Sequence, residues 1–141
     1  MTPERRAYIR YRLERARQTL QDAKVLSDMG SLLSAVNRLY YACFYCVSAL
    51  LLSEGQSASK HTGVRSLFNR LWVKTGRVPK DLGGFYGTLF DQRQKADYAD
   101  LAGFPPEQVR GWLQQATEFV SEVCRLVEKT LADDGTSPAC G

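Results

Sequence analysis

The chain has 141 residues, a formal net charge of +4, 44% hydrophobic and 24% charged residues. That is the length of one domain, since single domains run to roughly 100–200 residues and two separate cores would each be too small to hold together. The balance excludes a disordered, collagen-like or low-complexity chain.

Met1 to Arg17 carries Arg5, Arg6, Arg10, Arg12, Arg15 and Arg17 with no apolar stretch or small-residue cleavage site after it. The N-terminus therefore reads as mature protein, without a secretory signal, and the cytoplasm is the expected compartment. Residues 4–27 space Ile9, Leu13, Ala16, Leu20 and Ala23 by threes and fours, which predicts a helix with one apolar stripe. Asp28-Met29-Gly30 breaks it, and Ser31 is placed to cap the next helix, which is predicted to reach about Ser53.

That second helix is apolar nearly all round, as a helix central to a bundle or seated in an interface would be. With Tyr40, Tyr41 and Tyr45 inside it and Arg38 at its edge, its apolar run reads as too short and too polar for a membrane span. Cys43 and Cys46 make one CxxC, and Cys124 and Cys140 stand apart from it. A single pair cannot complete a four-ligand zinc site, so buried small hydrophobes are the expectation.

Residues 54–59 read as a loop and His61 to about Lys74 as a third helix. Residues 55–80 hold Lys60, Arg65, Arg70, Lys74, Arg77 and Lys80 and no acid. Such a stretch is either a phosphate-binding surface or plain solvated charge. A fourth helix is predicted over 81–98, weakened at its start by Gly83, Gly84 and Gly87, which mark a place for close helix contact. Pro105-Pro106-Glu107 opens a last helix with the stripe Val109, Trp112, Leu113, Ala116, Phe119, Val120, Val123 and Val127. The expected architecture is all-α, an up-and-down bundle of about five helices over residues 1–132, with 133–141 as a flexible tail.

No phosphate-binding GxxxxGK[ST], dinucleotide GxGxxG, HExxH or GxSxG is present, and His61 is the only histidine. Neither a metal nor a cofactor is expected. Two polar features stand out. Arg38 lies one helical turn from Ser34 and Tyr41 and two from Tyr45, on an otherwise apolar helix. It is either part of an internal network that fixes helix register or faces a groove that takes an anion. In the second feature, Arg93 follows Leu89 by four residues, Asp97 follows Arg93 by four, and Tyr98 comes next. An arginine, a carboxylate and a phenol at a helix end can position a phosphodiester, or they can form a salt bridge and a packed terminus.

In this order the stretches AVNRLYYACFYCVSALLL at 35–52, SASKHTGVRSLFNRLWVKTG at 57–76 and LFDQRQKADYADL at 89–101 resemble the HEPN superfamily, specifically its small stand-alone prokaryotic members. The resemblance covers roughly residues 10–130. It implies a helical bundle that dimerises and is paired with a minimal nucleotidyltransferase as toxin and antitoxin. It further implies that the HEPN member is a metal-independent RNase, whose motif is an arginine followed after four to six residues by a histidine. Here Arg93 matches the arginine, the histidine position is Tyr98, and the position where related toxins carry an AMP-accepting tyrosine is Asp100.

An unshifted phenol is a poor base at neutral pH, so His61 is the one available imidazole. Two functions follow, beside a purely structural helical adaptor that needs no site. In one, Arg93, Asp97 and Tyr98 form an altered RNase site: Arg93 holds the phosphate, Asp97 orients it, and Tyr98 donates a hydrogen bond or is modified. In the other, the protein is a non-catalytic dimeric module that binds a nucleotide, RNA or a nucleotidyltransferase through Arg38, Tyr41, Lys60 and His61. A homodimer is expected on either reading, and no membrane partner.

Overall fold

A computed structural model describes residues 1–96 and 103–135. Five α-helices account for most of these: α1 (Pro3–Asp28), α2 (Leu32–Ser53), α3 (His61–Phe68), α4 (Lys80–Ala96) and α5 (Pro106–Gly135). No strand occurs among the described residues. α5 continues through Gly135, so the segment expected to be a tail begins as helix.

Thr2 caps α1 by accepting from the Arg5 amide at 3.1 Å, and Pro3 fills the first turn, where its missing N–H has no cost. The buried face is Ile9, Leu13, Ala16, Thr19 and Ala23, so Thr19 takes the inward place expected of Leu20, which is half-buried. Small residues at 16, 19 and 23 suit the seam with α2, the most extensive helix contact in the molecule. The turn between them closes through Gly30, whose φ of +79° lies in the left-handed region. The Ser31 amide there donates to Leu26 at 2.9 Å. Ser31 occupies the predicted cap position of α2, but its hydroxyl makes no capping hydrogen bond.

α2 is the central helix, packed against α1, α4 and α5. This explains why it is apolar nearly all round: the faces that cover it belong to its own bundle. By length and composition it is also long and apolar enough to cross a membrane, contrary to the expectation from its tyrosines, but most of its surface is buried inside the protein. Cys43 and Cys46 are fully buried and free, and the Cys46 thiol donates to the Cys43 carbonyl at 3.1 Å. Burial pushes both thiols well above their ordinary range, and no cluster of metal-binding side chains occurs among the described residues. They are packing residues.

The N-terminal arginines act as clips. Arg5 donates to the Leu52 carbonyl at the end of α2 through Nε at 2.8 Å. Arg6 donates to the Leu131 carbonyl at 3.0 Å and pairs with Asp134 at 2.9 Å, at the end of α5. Arg17 pairs with Glu128 at 2.9 Å. α1 thus runs antiparallel to both α2 and α5, and two of its cations sit on C-terminal carbonyls, where the helix dipole favours them.

The third helix departs from the continuous segment predicted over 61–74. It is α-helical to Phe68 and then widens into a π-type turn over Asn69–Val73, with the Lys74 amide donating to Asn69 at 2.8 Å. The wider turn leaves both Phe68 and Trp72 buried, and the Val78 amide closes the connection on the Trp72 carbonyl at 3.0 Å.

Two of the three α4 glycines do mark close contact. A Cβ on Gly83 would lie 2.8 Å from Val73 Cγ2, and one on Gly87 would lie 2.7 Å from an Arg65 guanidinium nitrogen, whereas Gly84 is open. Gly83→Ala is therefore expected to destabilise the fold by about 1–3 kcal/mol through overpacking. Gly84→Ala is expected to stabilise it by up to about 1 kcal/mol through helix propensity. Urea denaturation of the two variants side by side checks this, and equal shifts would refute the packing account.

Candidate functional site

The site lies where α2, α3 and α4 meet. Consecutive residues on a helix point about 100° apart, so Tyr40 and Tyr41 face different surroundings. Tyr40 is fully buried and Tyr41 half-buried. Tyr40 stacks on Tyr86 at 5.9 Å between centroids, and Tyr86 stacks on Phe119 at 5.8 Å. This aromatic column carries the site down into the core.

Arg93, near the end of α4, rests on these tyrosines. Its guanidinium carbon is 4.8 Å from the Tyr40 ring centre and 5.5 Å from that of Tyr41, and a terminal nitrogen donates to the Tyr41 hydroxyl at 2.9 Å. Arg38 approaches the same Tyr41 ring at 5.0 Å and donates to the Asn37 side-chain oxygen at 2.8 Å. Two guanidinium groups thus share one phenol ring, and neither is paired with a carboxylate among the described residues. Among the described residues the partners of Arg38, Asn37 and Tyr41, lie on its own helix. Cation–π contacts hold these charges in place without neutralising them.

His61 opens α3 and reaches the same cluster. Its Nδ1 is 2.7 Å from the Tyr40 hydroxyl, and its ring stacks on Phe44 at 4.3 Å and 6° and meets Tyr41 edge-on at 5.7 Å. A hydroxyl can donate to Nδ1 or accept from it. Tyr40 therefore fixes the ring while leaving Nε2 to act with or without its proton. Partial burial, and then the Arg93 charge, lower the His61 pKa from its usual value near 6.5, so the ring is neutral at pH 7. Burial also pushes the Tyr40 phenol up to about 12, so it stays protonated.

The depressed His61 pKa has a consequence for stability. Below about pH 6.5 the unfolded chain takes up a proton that the folded chain resists, so this group's contribution is complete above that pH and falls as acid is added. Urea titrations across pH 5–7.5 are expected to show that part of the slope disappearing in His61→Gln. An identical slope in both proteins would refute it.

The structure brings together Arg38, Tyr41, His61 and Arg93 of the sequence-predicted residues. Lys60 is exposed, just before α3, and makes no contact to the cluster among the described residues. Asp97, Tyr98 and Asp100 lie outside the described residues. Sequence reasoning missed Tyr40 and Phe44 as the two side chains that fix His61. Their spacing of four on α2 was a usable signal, because it puts two aromatics on one strip.

The HEPN domain model matches residues 9–129. A UPF0332 protein of Thermotoga maritima is 49% identical over 125 residues, covering 89% of this chain and 95% of that protein. A UPF0332 protein of Gloeobacter violaceus is 39% identical over 73% of this chain and 76% of its own length. A protein of Methanocaldococcus jannaschii, provisionally named a toxin, is 29% identical over 84% of this chain and 82% of its own.

Proposed function

The chain belongs to the HEPN domain family, and from that premise we propose that it is the toxin-side member of a HEPN–nucleotidyltransferase pair, acting in the cytoplasm on RNA. The observation that carries the reading is the pair of guanidinium groups on Tyr41, unpaired with any carboxylate among the described residues, beside the His61 ring. Like charges held close together repel, and a phosphodiester bound between them relieves that repulsion. The provisional toxin name of its archaeal relatives supports the biological setting.

On this reading Arg93 and Arg38 bind the scissile phosphate. His61 supplies the acid–base function that the Arg93 motif lacks five residues on. The imidazole takes the proton of a ribose 2′-hydroxyl as O2′ forms its bond to phosphorus. The P–O5′ bond breaks, and the departing oxygen is protonated by the imidazolium. General acid–base assistance of this kind is worth about 10²–10⁴-fold. Asp97 and Tyr98 complete the proposal as the orienting carboxylate and as a hydrogen-bond donor or modification site.

The homodimer and the nucleotidyltransferase partner belong to the same proposal. The all-round apolar character of α2, which suggested an interface, is accounted for within the single chain, so the dimer now rests on family resemblance. Incubation of the purified protein with a mixed RNA pool in EDTA tests the reading. Cleavage is expected to yield 2′,3′-cyclic phosphate ends. Intact RNA that is nonetheless bound would favour the non-catalytic binding module.

A further inference from the structure

A groove of about 260 Å³ that His61 also lines lies between α1, α2 and the segment that leads into α3. Phe44, Leu51, Leu52 and Val64 give it an apolar floor, and Ser48, Ser57 and Ser59 bring hydroxyl groups. Tyr8 and Arg12 form the opposite wall. Arg12 is held over the Tyr8 ring at 5.2 Å and the Tyr45 ring at 5.4 Å, and donates to the Tyr8 hydroxyl at 2.7 Å. The lining residues include one arginine and no carboxylate. Tyr8 is 45% exposed, so part of its ring is open to a ligand.

We propose that this groove is a nucleoside subsite: an RNA strand whose phosphate lies at Arg38 and Arg93 places the neighbouring base in it. The inference rests on the phosphate reading of Arg93 above and adds a second, separate surface to it. Three features fit a nucleoside. The apolar floor and Tyr8 suit the face of a base, the serine hydroxyls suit base or ribose edges, and Arg12 suits an anionic strand without repelling it. His61 is the group common to both sites, since it lines the groove while its ring contacts the tyrosines that carry Arg93. Its position makes it a reporter of either one.

The test uses the full chain and its single histidine. His61 ring resonances are followed by NMR during titration with inorganic phosphate, adenosine, and adenosine and uridine 3′-monophosphates. At least one nucleoside monophosphate is expected to bind about tenfold more tightly than inorganic phosphate, as stacking of one base allows. Tyr8→Ala, at an exposed position that should not disturb folding, is expected to remove that advantage while leaving the response to inorganic phosphate. Arg93→Ala is expected to do the reverse, losing the phosphate response and keeping the shift caused by adenosine.

Equal affinity for inorganic phosphate and both nucleotides would overturn the proposal. So would nucleotide binding that Tyr8→Ala and Arg12→Ala leave unchanged, or a groove that takes only a protein partner. Failure of RNA cleavage in EDTA would overturn the catalytic reading alone, because the nucleotide titrations do not depend on turnover.

Discussion

Replacing Arg93 by alanine is expected to lower RNA cleavage in EDTA by about 10²–10³-fold, the usual cost of removing a group aimed at developing charge. Arg93 is half-buried and rests on Tyr40 and Tyr41 without an ion pair among the described residues, so its loss should leave the bundle folded. Far-ultraviolet circular dichroism and a urea midpoint near that of the wild type check that point. Arg93→Lys keeps the charge but loses the planar group that stacks on the tyrosines while donating to the Tyr41 hydroxyl. It is expected to recover only a small part of the activity. Cleavage that survives in Arg93→Ala would place the chemistry elsewhere in the molecule.

Tyr40→Ala is expected to destabilise the protein by about 3–5 kcal/mol, the range for deleting a buried aromatic ring. Tyr40 is fully buried and touches Tyr86, Phe90, Phe44 and His61, so no small rearrangement can fill the space. For a chain of this length the thermal midpoint should fall on the order of 10 °C. Tyr40→Phe keeps the ring and loses the hydroxyl with its contact to His61, for about 0.5–1.5 kcal/mol.

The neighbouring Tyr41→Phe gives the contrast. Tyr41 is half-buried and its hydroxyl accepts from Arg93, so this change is expected to leave the melting temperature nearly unchanged while weakening RNA binding. Calorimetry of the three variants beside an RNA-binding titration separates the two roles. A Tyr41→Phe protein that melts like Tyr40→Ala would show that the division between core and site is wrong.

The number and order of the helices were legible because apolar spacing of three and four is a local property, repeated along each segment without reference to the others. Gly30, Ser31 and Pro106 marked helix ends for equally local reasons: a positive φ, a cap position and a fixed φ without a donor. The same local resemblance at 35–52, 57–76 and 89–101 gave the family. Nothing local predicted the π-type turn after Phe68, because Phe68 and Trp72 fit an ordinary helix by spacing alone.

The site divides in the same way. Arg93 and Arg38 were legible as cations beside apolar stripes, but that Arg93 rests on Tyr40 and Tyr41 depended on a helix distant in sequence. His61 could not be placed beside Arg93 from the sequence, since they lie on different helices and meet only through the tyrosines of a third. By itself the sequence determined an all-α bundle, the starts of its second and last helices and its family. The tertiary structure decided that two arginines share one phenol ring, that the lone histidine stands next to them, and that α2 spends its apolar surface on its own bundle. Those outcomes depend on how far each helix is rotated and where it crosses its neighbours, which the packing of all five sets together.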